Sequence, residues 1–222
     1  MSWDNLLSLV AGWILGLLSS IITDKRKRRS QKKEVKRGIL TELQETQIIL
    51  IFTCDMLTQR FGGYDRNFLT WILPYFRKFG ESDSSSQYDN NIKFVNDTLA
   101  LTDEEIKTQV EELRRRNLQQ EGSKSGLTLK TMLLPYADSK ISSLPLFKED
   151  FQRQVLSIKR DTNAMNEDIE LAWWYFKKTF ESLSDKNYQL IDANLNKTYL
   201  DLAGKTRRLA DKIQKLLSEN NP

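Results

Sequence analysis

The apolar positions divide the chain into one uncharged N-terminal run followed by amphipathic segments. Leu6–Ile22 contains no charged side chain, and its polar flanks extend it to about 20 residues, the length of a helix that spans a bilayer. Ser30–Phe61 then repeats apolar residues at helical spacing. Because no strong breaker separates the two, we expect one helix to run through both and to end at Gly62-Gly63. Its core face is predicted to hold Ile39, Leu43, Leu50, Cys54 and Leu57.

The middle of the chain is predicted to hold shorter elements. The aromatic segment Tyr64–Phe79 suits a short helix that bends at Pro74. The polar stretch Gly80–Asn91 is typical of a loop. Thr102 and Glu105 form the T-x-x-E pattern of a capping box, which predicts the start of another helix.

Two long helices are predicted in the C-terminal part. Apolar residues recur every three or four positions through Leu146–Leu183, with Pro145 in the first turn, and through Asp185–Ser218, with Ser184 as N-cap. Their short connection makes them antiparallel neighbours. The first seam comprises Phe147, Phe151, Val155, Ile158, Thr162, Met165, Ile169, Ala172, Phe176, Phe180 and Leu183. The second comprises Tyr188, Ile191, Leu195, Tyr199, Leu202, Thr206, Leu209, Ile213 and Leu216.

Composition agrees with a helical fold. Only 9 Gly and 4 Pro occur among 222 residues, whereas sandwiches and barrels need turn residues about every ten positions. The predicted fold is therefore all-α: an N-terminal transmembrane helix that continues into a cytoplasmic antiparallel four-helix bundle of long helices. We expect an anchor over residues 1–24, a basic collar over 25–37 and the bundle over 38–222.

Positive charge is concentrated directly after the apolar run. Asp24–Arg37 holds nine Lys or Arg side chains against two acidic ones, a net charge of +7 in a chain whose total is +4. Because positive charges resist translocation, the N-terminus is expected outside and the rest of the chain in the cytoplasm. A nucleic-acid partner is not expected, since such domains spread basic charge over a folded face. The collar residues predicted to contact anionic lipid are Lys25, Arg26, Lys27, Arg28 and Arg29.

Two other interpretations of the apolar run are open. A cleaved signal peptide carries its positive charges before the apolar stretch, whereas here Asp4 precedes it and the cations follow. Alternatively, the run is a buried helix of a soluble protein that touches anionic lipid through its basic segment.

Small residues recur along the predicted anchor. Ser8, Gly12, Gly16 and Ser20 are spaced by four, which places them on one helix face where another membrane helix can approach closely. The stripe predicts self-association of the anchor. A second interpretation is that a ring of such helices lines a narrow water path with its polar side.

An aromatic run interrupts the first C-terminal seam. Trp173, Trp174, Tyr175 and Phe176 are consecutive, and adjacent helical residues point about 100° apart, so they cannot all face one core. We expect Trp173, Trp174 and Tyr175 to contribute to an interface, either between subunits or with a cytosolic protein. The arginines at 114–116 suit a solvated face or a contact for an acidic partner or RNA.

Residue types exclude most catalytic machinery. The chain has no histidine and a single cysteine, which removes histidine acid–base chemistry, His-ligated zinc and an internal disulfide framework. No Gly-rich phosphate loop or G-x-S-x-G elbow occurs. We therefore expect no enzyme, no cofactor and no metal, and Cys54 is interpreted as a core residue.

The layout resembles the membrane accessory proteins of bacterial RNA-targeting CRISPR systems. The resemblance is carried by Leu6–Ile22, the cations of Lys25–Arg37 and the long seam of Phe147–Leu216. It implies a helical domain similar to the HEPN ribonuclease bundle and assembly into a ring-shaped membrane pore that supports phage defence. The Arg…His signature of HEPN ribonucleases is absent, because the chain has no histidine, so the resemblance implies no catalytic residue.

Together these features predict a single-pass protein of the bacterial inner membrane that forms homo-oligomers through its helical bundle and anchor. The expected function is that of a pore-forming or membrane-perturbing effector in anti-phage defence, with lipid and further copies of the chain as partners. The alternative is a non-enzymatic scaffold that holds a cytosolic protein at the membrane.

Overall fold

The structure, a computed structural model, describes residues 3–82, 86–120, 127, 129–182 and 184–220. All regular elements of these residues are helical, which confirms the all-α class. The elements are α1 (Trp3–Phe61), α2 (Arg66–Ser82), α3 (Ser86–Leu99), α4 (Asp103–Gln120), α5 (Pro135–Ser139), a 3₁₀ helix (Ile141–Leu146), α6 (Glu149–Lys178) and α7 (Asp185–Asn220).

Helix α1 is continuous over 59 residues, as predicted. It ends where Gly62 and Gly63 adopt φ values of +122° and +90°, a conformation that side chains with a Cβ rarely enter. The predicted core face is confirmed, because each of its five residues is at most 1% exposed. Cys54 is one of them, and its thiol lies 3.4 Å from the carbonyl of Ala203.

The predicted loop over Gly80–Asn91 is wrong for its described residues. Helix α2 continues through Pro74 to Ser82, and α3 begins at Ser86. Tertiary packing explains the difference, because Tyr88 of α3 is buried among aromatic rings of α1 and α2. Such packing overrides the weak helix propensity of Ser, Asp and Asn.

The capping box of α4 is confirmed. The Thr102 amide donates to the Glu105 carboxylate at 2.8 Å, and the Glu105 amide donates to the Thr102 hydroxyl at 3.3 Å. The two side chains therefore satisfy amides that the first helical turn leaves without intrahelical partners.

Helices α6 and α7 are antiparallel, as their short connection predicts. Three polar contacts join them at intervals of seven residues, with numbers that rise along α6 and fall along α7. These contacts join Gln154 to Glu219, Asp161 to Lys212 and Asp168 to Lys205. The predicted seam residues are buried from Phe147 to Ala172 and from Leu195 to Leu216. Two seam threonines satisfy their hydroxyls within their own helices: Thr162 donates to Ile158 O, and Thr206 to Leu202 O.

The predicted ends of α6 need correction. The helix begins at Glu149, not Leu146, because Pro145 belongs to the preceding 3₁₀ helix rather than to the first turn. It ends at Lys178, which leaves Phe180 in the following turn with 69% of its surface exposed. Leu183, the last predicted seam residue, lies outside the described residues.

By their internal contacts the residues form two units. The first comprises α1 up to Glu42 together with Leu134–Arg153, and the second comprises Leu43–Leu133 together with the chain from Gln154 onward. In the second unit, α7 contacts α1, α2 and α6 through side chains, since Gln47 donates to Ala210 O and Trp71 donates to Asp211. Helix α2 thus lies beside α7 in this unit.

In the first unit, a short helix is held against α1 by one carboxylate. Glu42 accepts hydrogen bonds from the amides of Tyr136 and Ala137 at 2.6 and 2.8 Å, at the start of α5. The Tyr136 ring lies on Gly38 so closely that a Cβ at that position would overlap it. Gly38 is therefore needed for close approach, although glycine weakens a helix interior.

We predict that Gly38→Ala speeds hydrogen exchange at the amides of Tyr136 and Ala137. Overpacking against the ring should destabilise the α5 contact by about 1–3 kcal/mol, which the exchange rates of these two amides report directly. The control is Gly204→Ala, where the nearest atom to an added Cβ is the movable end of Arg208 at 3.3 Å. In a Tyr136→Ala background Gly38→Ala should have no further effect; an equal effect there would contradict the explanation.

Candidate functional site

The predicted anchor belongs to α1, whose backbone is helical from Trp3 onward. The side chains of Ser8, Gly12, Gly16 and Ser20 lie outside the described part of the structure. Two apolar side chains of this stretch that are described are open to the surroundings: Trp13 is 67% exposed and Ile22 is 52% exposed. Thr23 turns its hydroxyl back to the carbonyl of Ser19 at 2.8 Å, so its polar group is satisfied within the helix.

A search limited to the described residues finds no helix with the length and apolar character needed to cross a membrane.

The basic collar faces solvent as far as Glu34. Every residue from Ile22 to Glu34 is exposed, and burial begins at Val35. The collar residues Lys25, Arg26, Lys27, Arg28 and Arg29 have no acidic partner at ion-pair distance among the described residues. Their positive charge is therefore available to an external anion, in agreement with the predicted lipid contact, which stays a prediction.

The aromatic run lies at the end of α6. Trp173 and Trp174 are 40% and 51% exposed, whereas Tyr175 is half-buried. Trp173 stacks on Phe176 with ring centroids 5.5 Å apart, and Phe180 meets Phe176 edge-on. We call the exposed group of Trp173, Trp174 and Phe180 the aromatic patch.

Two lysines lie over rings of the aromatic patch. Lys177 lies 5.1 Å from the Trp173 ring centroid, and Lys178 lies 5.5 Å from that of Trp174. These cation–π contacts partly cover the rings, yet each indole keeps two fifths or more of its surface open. Exposed aromatics of this kind mark contact surfaces. Phe180 was missed as a patch member because its spacing continues the seam.

The structure describes one side chain of the arginine run at residues 114–116 of α4. Arg115 is exposed on the helix, and the side chains of Arg114 and Arg116 lie outside the described part. Within the described residues, no group of three or more acidic or cysteine side chains is placed to hold a metal ion.

The structure shows a cavity that the sequence did not predict. It has a volume of about 560 Å³ and lies within the second unit beside the Gly62-Gly63 turn. Arg66 fixes one wall, because its guanidinium donates to Asp103 at 2.6 Å, to Leu99 O at 2.9 Å and to Leu101 O. Glycines at a helix end were the available signal, but they were explained by helix termination alone.

A buried polar cluster stands behind this cavity. Burial raises the pKa of the Asp55 carboxyl to about 6, against the hydrogen bond from Gln59 at 3.2 Å. Tyr64 is only 5% exposed, and burial followed by the nearby Asp55 charge raises its pKa. Among the described residues, neither the Tyr64 hydroxyl nor Asp55 Oδ1 has a hydrogen-bond partner. The cluster therefore opposes charge on Asp55.

Comparison with known proteins returns no relative: no family model, no curated protein and no solved structure matches the chain. The resemblance to CRISPR accessory proteins therefore stays a prediction that rests on architecture.

We predict that Asp55→Asn makes the chain more stable than the parent at neutral pH. The folded state holds the Asp55 proton more tightly than the unfolded state, whose pKa is near 3.8. The folded state thus binds more protons between about pH 4 and 6, and stability falls as pH rises through that window. The variant lacks this loss. The difference between its free energy of unfolding and that of the parent should therefore grow by about 2 kcal/mol between pH 4 and 7.

The measurement is the free energy of unfolding from urea denaturation at both pH values. Asp97→Asn, at an exposed position of α3, is the control for removing one carboxylate. An advantage of equal size at pH 4 and pH 7 would show that Asp55 is not held in its protonated form by the fold.

Proposed function

We propose that this chain is a single-pass protein of a bacterial inner membrane, anchored by residues 1–24 with its N-terminus outside and its bundle in the cytoplasm. The observation that carries the proposal is the continuity of α1. One helix bears the uncharged run, the exposed collar and the buried core face in that order. This order matches the three layers of hydrocarbon, headgroups and cytosol that such a helix meets.

The exposed residues of the run support the same placement. Trp13 and Ile22 keep more than half of their surface exposed, and lipid would supply the apolar surroundings that water does not. The collar lies directly after them, where cations both resist translocation and attract anionic headgroups. The proposal thus accounts for two exposed apolar side chains and for a charged stretch that has no acidic partner among the described residues.

Self-association is the second part of the proposal. Lipid gives no hydrophobic reason for helices to associate, so close packing of small residues has to supply the affinity, and the stripe of Ser8, Gly12, Gly16 and Ser20 provides it. Because α1 continues into the bundle, association of the anchors also brings the bundles together. The assembly would then perturb the membrane or open a pore in it, and anti-phage defence is the role that the resemblance implies.

We predict that Gly12→Leu together with Gly16→Leu breaks the assembly. The larger side chains prevent close helix approach, so the mass of the detergent-solubilised full-length protein should fall to that of a monomer. Loss of membrane potential on expression of the parent should be absent with the variant. The control is Ala11→Leu, which introduces a leucine into the anchor away from the stripe.

Each result of this experiment has a defined meaning. A parent that is monomeric in detergent contradicts self-association. A parent released from membranes by alkaline carbonate without detergent contradicts the anchor and leaves the soluble, lipid-touching alternative. An assembly that forms but leaves the potential unchanged contradicts the membrane-perturbing effector.

A second candidate function is favoured by the aromatic patch. A membrane-tethered scaffold needs a surface for its cytosolic partner, and Trp173, Trp174 and Phe180 are exposed aromatic side chains in the last turns of α6 and just after it. The flanking Lys177 would let such a surface accept a partner that carries acidic groups around an apolar centre, whereas Lys178 already forms an ion pair with Glu181 at 2.7 Å.

We predict that Trp173→Ser with Trp174→Ser lowers the mass of the detergent-solubilised assembly. This prediction takes the patch as an interface between the bundles of neighbouring subunits. Removal of two exposed indoles then weakens that interface, while the core of α6 stays intact. Leu156→Ser is the control, because Leu156 is a 44% exposed residue of the same helix outside the patch. An unchanged mass combined with loss of a co-purifying cytosolic protein would assign the patch to the scaffold function instead.

A further inference from the structure

The collar contains a crevice of about 450 Å³ within the first unit. Four cations of α1 and one residue of the 3₁₀ helix form most of its lining. The lining residues are Asp24, Lys25, Arg28, Arg29, Lys32 and Leu146. The four cations are separated by three, one and three residues, which places them along one face of the helix. The crevice is therefore more specific than a uniformly charged collar, since Arg26, Lys27 and Lys33 do not line it.

The described residues do not neutralise the positive charge of the crevice. Lys25, Arg28 and Arg29 have no ion-pair partner among the described residues, and Lys32 lies 5.6 Å from the centroid of the Phe147 ring. Asp24 is the single acidic residue of the lining, so the crevice carries a net charge of +3. Like charges on neighbouring helical turns repel one another, and an anion between them would relieve that repulsion.

One wall of the crevice is apolar and held in position. Leu146 is 41% exposed, and Ile141 of the same 3₁₀ helix is 43% exposed. The segment that bears them is held to α1 by Glu42, which caps α5, and by Phe147, whose ring faces Lys32. Phe147 is itself only 8% exposed. A cationic floor beside an exposed aliphatic wall suits an amphiphile better than a free anion.

We propose that this crevice is a discrete site for an anionic phospholipid whose headgroup carries two phosphates. Lys25 and Lys32 are about 10 Å apart along the helix axis. In chain order the four cations therefore form two pairs, Lys25 with Arg28 and Arg29 with Lys32. Each pair would bind one phosphate, and the two arginines would contribute bidentate hydrogen bonds. The acyl chains would lie along Leu146 and Ile141. The inference rests on the proposed membrane anchor and names the lipid class that its collar selects.

The test is native mass spectrometry of the detergent-solubilised full chain with tetraoleoyl cardiolipin, against dioleoyl phosphatidylglycerol at equal total charge. We expect one retained cardiolipin per chain and weaker retention of phosphatidylglycerol. Arg28→Gln with Lys32→Gln should weaken cardiolipin binding at least about tenfold, because charge-assisted hydrogen bonds are lost. The control, Arg26→Gln with Lys33→Gln, removes one Arg and one Lys outside the crevice and should bind as the parent does.

The remaining outcomes overturn the inference in distinguishable ways. Equal weakening by the two charge-matched variants would mean diffuse electrostatic attraction without a site. Pyrophosphate binding as tight as cardiolipin binding, and insensitive to Leu146→Gln, would mean an anion site that does not use the apolar wall. Both failures leave the proposed function standing, provided that the variants still need detergent for release from membranes; release without detergent is the failure of the anchor itself.

Discussion

The backbone hydrogen-bond ladder of α1 is the constraint on which the rest of the structure depends. An α-helix satisfies its backbone groups locally, so the same backbone can pass from an apolar to an aqueous and then to a protein environment without unpaired amides. Only the side chains have to change, and they do: uncharged to Ile22, cationic from Lys25, and buried at intervals from Val35. The ladder stops where two glycines take left-handed backbone angles.

The second unit uses α7 as its common contact element. Its apolar seam packs with α6, while polar groups on other faces contact α1 and α2. Gln47 illustrates how a fully buried polar side chain is tolerated there. Its amide donates to Ala210 O and Gln214 at 3.1 and 3.2 Å, although its own oxygen has no partner. Buried polar groups of this kind oppose slippage of one helix along another, because a shift would leave more of them unpaired.

The elements with strong local signals could be predicted from the sequence. The T-x-x-E box at Thr102, the glycine pair after Phe61 and the threes-and-fours spacing of α7 each depend on residues close together in the chain. The failures depend on distant residues. Nothing near Tyr88 indicates a helix, because the rings that bury it come from α1 and α2. Likewise Phe180 fits the seam by spacing and is exposed only because α6 ends two residues earlier.

The same distinction applies to the candidate sites. The collar and the tryptophan pair were visible because charge and aromatic content are properties of a continuous segment. The crevice joins residues 24–32 to Leu146, and the cavity at the Gly62-Gly63 turn joins the end of α1 to α4. Sites assembled from such separated segments have no local pattern from which they could be predicted.

The unbroken course of α1 also constrains how the chain can change in length. Each residue of an α-helix advances the direction of the side chains by about 100°. A single insertion in the collar would therefore change the angle about the helix axis between the small-residue stripe and the face that carries Val35 and Ile39. The change would be about 100°, more than a quarter turn. About seven inserted residues, close to two full turns, would restore the angular phase to within about 20°. Under the proposed self-association, the length of the collar sets the angle between the stripe and the core face of α1, so its length is constrained more tightly than its composition.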